Sequence, residues 1–197
     1  MSGQPLSIAF TGAGGAGVIS CGELLLQAWA RQGGRGLLRK AFGPQIRGGE
    51  SAALLKLTEG ERSTAATRYD VLLALDWNNF SRFEDEIRLG PDSWIICEDK
   101  GELPPALATL EPRVLRLPIA ELAAQAHEEG RVNMLGLGLL GGLLGLPVAD
   151  MAELARGKLS GKPQAYRDAA CACIDLGAST PLDCELAAPS PEIGRAH

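Results

Sequence analysis

The sequence predicts an α/β fold with three layers, a mostly parallel sheet and helices on both faces. Three features predict it. Apolar runs of strand length alternate with segments of helical periodicity. The first run, Leu6 to Thr11, ends in a glycine-rich turn and a helical segment follows at once. A later run, Val71 to Leu75, is apolar throughout, as a strand buried on both faces is.

After the first strand comes Gly12-Ala-Gly-Gly-Ala-Gly17, and helical spacing then links Ile19, Leu24, Leu25, Ala28 and Trp29 until Gly33-Gly34 stops it. Leu37 to Phe42 reads as a second strand. Gly43-Pro44 opens a loop through Arg47-Gly48-Gly49, and Ser51 to Leu57 supplies a third strand. Beyond the Val71 strand, a polar helix is expected from Asn78 to Arg88 and further strands at Trp94 to Cys97 and Arg113 to Leu117. Helices follow at Glu121 to Glu129, at Asn133 to Leu144, from Pro147 onward and at Ala165 to Leu176. The folded domain is expected over residues 1–177. Residues 178–197 read as a linker or truncated tail, in which 192–197 resemble a translated sequencing-adapter fragment.

Composition narrows the function. A hydrophobic fraction of 46% fits a globular core rather than a disordered chain. The longest apolar stretch, Met134 to Val148, holds five glycines and a proline. It is shorter than the roughly 20 residues a membrane span needs. The start shows no basic segment of a secretory signal, so a cytoplasmic location is expected. A net charge of −5 argues against a general nucleic-acid binder. Five cysteines form neither a C-x-x-C motif nor an even framework, and they read as reduced thiols. With two histidines besides, no zinc or iron–sulfur site is expected.

Two constellations could carry chemistry. Gly12, Gly14 and Gly17 satisfy G-x-G-x-x-G, with Gly15 inside it. Glycine permits the tight turn and lets backbone N–H groups approach an anion at a helix N-terminus. A nicotinamide dinucleotide site would also place Asp or Glu about 20 residues on, where this chain has Arg39-Lys40. Three readings stay open: an NADP site, another phosphate-bearing ligand, and glycines needed only for packing. The second constellation is Phe42-Gly43-Pro44-Gln45-Ile46-Arg47-Gly48-Gly49-Glu50-Ser51. Pro44 stiffens it, Gly48 and Gly49 free its backbone, and Arg47 and Glu50 bring opposite charges. Among other residues, Asn133 reads first as a helix cap, Asp76 as a solvated cap and Cys21 as a buried thiol.

These stretches resemble the gamma subunit, or gamma domain, of the 2-oxoacid:ferredoxin oxidoreductases. That family opens with a strand and a G-x-G-G-Q-G loop, then a helix like Cys21-Gly-Glu-Leu-Leu. Its next landmark is a G-P-x-x-R-G-G-x-S loop, matched by Gly43 to Ser51. Asp70-Val-Leu-Leu-Ala-Leu resembles its central strand and Arg131-Val-Asn-Met-Leu-Gly its Asn-containing helix start. Ala16 departs from the family's Gln, and the last helix lacks an expected Asn near Tyr166.

The resemblance implies a Rossmann-like domain that is not catalytic alone. It implies thiamine diphosphate, Mg2+ and iron–sulfur clusters in partner domains, since this chain offers no stretch readable as a thiamine-diphosphate motif and no cluster-ligating cysteine set. The implied partners are an alpha domain, expected downstream in the same natural chain, and a thiamine-diphosphate-binding beta subunit, with ferredoxin reached indirectly. Coenzyme A (CoA) is the ligand the domain would touch, through Gly12, Gly14, Gly15, Gly17, Arg47, Gly48 and Gly49. The competing readings are a free-standing NADP-binding oxidoreductase and an interaction domain with no small ligand.

Overall fold

The computed structural model describes residues 4–13, 15–42, 51–59, 66–78, 80–184 and 186. Strand β1 (Leu6–Gly12) leads into helix α1 (Val18–Arg31). Strands β2 (Arg35–Phe42) and β3 (Ser51–Thr58) form a hairpin, followed by β4 (Val71–Ala74) and a 3-10 turn at Phe80–Arg82. Then come β5 (Trp94–Glu98), the four-residue α2 (Pro105–Ala108), β6 (Arg113–Leu117), α3 (Ile119–Ala126), α4 (Val132–Leu143), α5 (Val148–Lys158) and α6 (Gln164–Ser179).

The six strands lie in the order β2-β3-β1-β4-β5-β6. Strands β1, β4, β5 and β6 are parallel neighbours, and β3 runs antiparallel to both β1 and β2. The sheet is thus mostly parallel, with β3 as the reversed strand. The eight residues between Phe42 and Ser51 explain the reversal, because a parallel crossover needs a dozen or more.

Side-chain alternation separates two cores. Ile8, Phe10, Leu55, Leu57, Val71, Leu73 and Ile96 face α1, α3, α4, α5 and α6. Ala9, Leu54, Leu72, Ala74, Ile95 and Cys97 face Phe80, Phe83, Ile87 and Leu107 on the other side. The helical cover is therefore unequal. The helix expected over Asn78 to Arg88 is a 3-10 turn followed by bends, in which the Phe83 and Ile87 N–H groups donate to Phe80 O and Phe83 O. The Asn78 N–H donates to the Asp76 carboxylate at 2.5 Å, the bond a helix cap makes, yet only the short 3-10 turn follows it.

The glycines of α4 have a packing purpose. A β-carbon on Gly138 would stand 2.3 Å from Ile174 O, and one on Gly177 would stand 2.3 Å from Leu135 O. Helices α4 and α6 meet backbone to backbone along this seam. Helix α1 is tied to α5 by Arg31, whose two Nη atoms pair with Glu153 at 3.0 and 3.1 Å, and by Gln32, which donates to Asp150 at 2.7 Å. After α6, Leu182 and Leu186 rest against the helical core.

A candidate anion-binding cleft at the glycine loop

The parallel strands β1, β4, β5 and β6 point their C-terminal ends the same way. After β1 the chain enters α1 on the helical face, and after β4 it passes to the opposite face. The crevice between two such strands is where open α/β sheets bind ligands. Here it is bridged, because the Ala13 N–H donates to Asp76 Oδ2 at 3.1 Å. Asp76 thus binds the first N–H of the loop and places a carboxylate over the β1–β4 gap.

Gly17 sits at φ 77°, a left-handed conformation that costs an L-residue about 1–2 kcal/mol. A β-carbon there would come within 2.3 Å of the Asn133 amide. The turn lets the Cys21 N–H donate to Gly17 O at 2.9 Å and starts the helix. Among the described residues no side chain caps α1, and its first turn carries no acid. The helix thus begins at the cleft lined by Gly15, Ala16, Gly17 and Ser20, with its positive macrodipole end there.

Helices α4 and α6 close the cleft. Asn133 is not a cap: α4 begins at Val132 with Arg131 at the cap position, and the Asn133 Nδ2 reaches Gly17 O at 3.5 Å. The residue is thus turned toward the glycine loop. The Arg131 guanidinium lies 3.7 Å from the centroid of the Tyr166 ring, and Lys162 Nζ lies 5.8 Å from the same centroid. The Arg131 backbone N–H donates to Cys173 Sγ at 3.1 Å, which anchors this corner to α6. Gly15, Ala16, Gly17, Ser20, Arg131, Asn133, Lys162 and Tyr166 line a cleft of about 400 Å³.

A larger hollow of about 520 Å³ lies toward the strand N-termini, among Arg68, Ile87, Leu89, Leu107 and neighbouring residues. It is far from the glycine loop. The C-terminal end of the sheet carries the convergent polar groups, and for that reason the smaller cleft is the candidate site.

Of the residues singled out in the sequence, Gly12, Gly15 and Gly17 stand at the cleft or at its base. Gly14, Arg47, Gly48 and Gly49 lie outside the described residues. The ends of their two loops are nonetheless close. Gly12 is opposite Ser51 in the β1–β3 register, and Ser51 is opposite Phe42 in the hairpin. Both loops therefore leave from the same end of the sheet. The strand order separates Arg39 and Lys40 from this point, since β3 lies between β2 and β1. Arg39 pairs with Glu86 and Lys40 with Glu23. Neither cation sits where a dinucleotide's ribose phosphate would lie in a sheet with β2 beside β1.

Sequence reading missed Lys162 and Tyr166 as site residues and saw Arg131 only within a motif. They come from two segments far from the glycine loop in sequence, and only packing brings them to it. Cys21 is buried and inert, its thiol pushed well above the usual range by desolvation. Among the described residues no group of three or more His, Cys, Asp or Glu side chains is placed to hold a metal ion. Among them, too, no helix is long and apolar enough to cross a membrane.

Comparison with known proteins extends this geometry. Residues 7–180 match the family described as pyruvate ferredoxin/flavodoxin oxidoreductase. The ketoisovalerate oxidoreductase subunit VorA of Methanothermobacter thermautotrophicus is 31% identical over 159 residues, which cover 79% of this chain and 32% of VorA. The chain thus spans about a third of the length of that relative. The 2-oxoglutarate synthase subunit KorC of Archaeoglobus fulgidus is 28% identical over 149 residues, 73% of each chain. Among solved structures, 2-oxoglutarate:ferredoxin oxidoreductase from Magnetococcus marinus, with 2-oxoglutarate, coenzyme A and succinyl-CoA bound, aligns at TM-score 0.71 and 21% identity. That alignment covers 88% of this chain and 30% of the other. The pyruvate oxidoreductase subunit PORC of Thermotoga maritima aligns at TM-score 0.68 and 18% identity, covering 89% and 96% of the two chains. At these identities the solved structures establish the shared fold. The family match, spanning β1 to the end of α6, establishes the lineage: this chain belongs to the pyruvate ferredoxin/flavodoxin oxidoreductase family.

Proposed function

We propose that this chain is the gamma component of a 2-oxoacid:ferredoxin oxidoreductase, a part that carries out no redox step and presents a phosphate-binding cleft to CoA. In the reaction of such a complex, a 2-oxoacid, CoA and oxidised ferredoxin become an acyl-CoA, CO2 and reduced ferredoxin. Thiamine diphosphate, Mg2+ and iron–sulfur clusters supply the decarboxylation and electron transfer from partner domains. The partners are an alpha domain and a thiamine-diphosphate-binding beta subunit in the cytoplasm, with ferredoxin reached through them. The gamma domain extends at least through the end of α6 at Ser179, past the expected boundary at 177, with Leu182 and Leu186 still packed on its core.

One observation carries the reading. The uncapped N-terminus of α1, entered through the left-handed Gly17, opens on a cleft that also holds Arg131 and Lys162. Such a site suits a phosphate, with N–H groups and cations sharing the charge. The coenzyme A named as bound in the Magnetococcus structure supports CoA as the ligand. Arg47, Gly48 and Gly49, on the loop that leaves the sheet next to Gly12, are assigned as further contacts to the same molecule.

The test is titration of the complex purified with its partners, using CoA and NADP separately and following heat or tryptophan fluorescence. CoA should bind and NADP should not. The Gly17→Ala variant should still join the complex yet bind CoA at least tenfold more weakly, because the methyl group collides with Asn133. NADP binding in place of CoA, or wild-type CoA affinity in Gly17→Ala, would overturn the reading.

A further inference from the structure

We infer that the outer edge of β2 is a docking edge, along which an extended acidic segment of a partner chain adds as a further strand of the sheet. The inference goes beyond the ligand reading above and takes from it only that partner chains exist.

The sheet ends at β2, which pairs with β3 on one side and, among the described residues, with no strand on the other. Half of the N–H and C=O groups of such a strand point outward, a template for pairing with another chain. Proteins blunt an edge by keeping it short or by placing a proline or a bulge in it. Strand β2 has none of these. Its eight residues run in unbroken register with β3, from Arg35 opposite Thr58 to Phe42 opposite Ser51. The other edge of the sheet, β6, has five.

The side chains of β2 say what would cover it. Of the three large apolar side chains exposed among the described residues, two are here, Leu37 at 42% and Phe42 at 68%. They lie on opposite faces of the sheet. Leu38 and Lys40, which share the face of Phe42, meet the α1 side, whereas Arg39 and Ala41, which share that of Leu37, meet the segment 80–87. A cover laid on one face would reach only one of the two. A strand added at the edge flanks both, because its own side chains alternate across the same pleat.

Charge selects the strand. Arg35, Arg39 and Lys40 lie on β2 without one acid, in a chain of net charge −5. Their partners within the chain leave an excess, since Arg39 holds Glu86 but Lys40 shares Glu23 with Lys158. A second copy of this chain would bring two such sets of cations onto one seam, and like charges facing across strands are unfavourable. An acidic segment is complementary instead. Opposite Leu37, Arg39, Lys40 and Phe42 it would carry an apolar residue, two adjacent acids and a second apolar residue. That pattern reads the same from either end, so it fits parallel and antiparallel addition alike.

The first test titrates the full 197-residue chain into a fluorescent peptide, Thr-Val-Thr-Glu-Glu-Thr-Val-Thr, and into its counterpart with lysines for the glutamates, followed by anisotropy. The acidic peptide should bind about fivefold more tightly or better, from two favourable cross-strand charge pairs. Arg39→Glu combined with Lys40→Glu should reverse the order. If that double variant fails to fold, Phe42→Ser, at a side chain largely in solvent, should weaken the acidic peptide about threefold. An acidic peptide that does not bind, equal binding of the two, or no change in the folded variant would overturn the inference. The second test compares hydrogen exchange in the free chain and in the complex assembled with its partners, where the outward amides of β2 should exchange about tenfold more slowly. Unchanged exchange over residues 35–42 in a complex that forms sinks this inference alone. Acidic-peptide binding by a chain that joins no partner sinks the gamma-component reading alone. A free chain that sediments as a dimer with these amides protected would give the edge to a second copy and overturn the inference.

Discussion

Gly177→Ala is the sharpest test of how α4 and α6 are held together. Ordinarily a glycine inside a helix is a weakness, and replacing it with alanine recovers about 1 kcal/mol. Here the new β-carbon would stand 2.3 Å from Leu135 O, 2.9 Å from Leu139 N and 3.1 Å from the Gly138 Cα. All three are backbone atoms, so no side chain can rotate away. Contact at a van der Waals distance requires the helices to part by about 1 Å. Overpacking costs about 1–3 kcal/mol, and the upper value applies where backbone opposes backbone. With the propensity gain subtracted, the net loss is about 2 kcal/mol. Urea unfolding followed by circular dichroism measures it. At a slope of about 2 kcal/mol per molar, the midpoint should fall by about 1 M with the slope unchanged. Gly157→Ala on α5 is the control, since nothing lies within 4 Å of its added carbon. It should stabilise by up to about 1 kcal/mol. A Gly177→Ala protein as stable as the wild type would refute the backbone-contact reading of this seam. It would also remove the reason for Arg131 and Tyr166, at the starts of the same two helices, to be in fixed register.

Two further outcomes follow from the side chains. Glu23 accepts from Lys158 at 2.6 Å and from Lys40, and these bonds hold its carboxyl below the usual carboxylate range. A lowered folded pKa means the contribution is present in full above the unfolded value near 4.5 and fades as the pH falls through the folded one. Glu23→Gln should therefore lower stability at pH 7 and show a shallower further loss on acidification below pH 4.5, as followed by urea midpoints across that range. Among the thiols, Cys21, Cys97 and Cys173 are buried, and Cys171 and Cys184 are partly accessible. Burial pushes all five upward, Cys21 furthest. Titration with a chromogenic disulfide should modify Cys171 and Cys184 first and the buried three only on unfolding; early labelling of Cys21 would contradict the packing of α1 on the sheet.

The α4–α6 seam is also where stability and site meet. Arg131 stands at the cap of α4, and Tyr166 and Lys162 stand at or just before the start of α6. Backbone-to-backbone contact at Gly138, Gly142 and Gly177 leaves little freedom for one helix to slide along the other. The cleft cations are thus positioned by glycines several turns away. A substitution at Gly138 or Gly177 should consequently disturb anion binding as well as stability.

Much of the fold was legible in the sequence for local reasons. Strand β6 falls at Arg113–Leu117 as the apolar pattern predicts, and α1 starts at Val18, just after the glycine turn. Helix α5 starts directly after Pro147, where a proline's fixed φ suits a helix entry. Each of these depends on residues within one or two turns of itself. What misled was also local. Phe80, Phe83 and Ile87 recur at a helical interval, yet they serve a sequence of bends packed against Leu72 and Ile95. Four-residue α2 is too short to leave a periodic trace.

By itself, then, the sequence determined the alternation of strands and helices, the glycine turn and the family likeness. Each is set by steric limits and hydrophobic spacing that operate between near neighbours along the chain. Only the tertiary structure decided that β3 lies between β1 and β2, that the Asp76 carboxylate binds the Ala13 N–H, and that Arg131, Lys162 and Tyr166 converge on Gly17. Those facts depend on which surfaces bury against one another far apart in sequence, 63 residues for Ala13 and Asp76 and 116 for Gly17 and Asn133. Apolar burial has no direction of its own, so pattern alone cannot say which polar groups it will carry into contact.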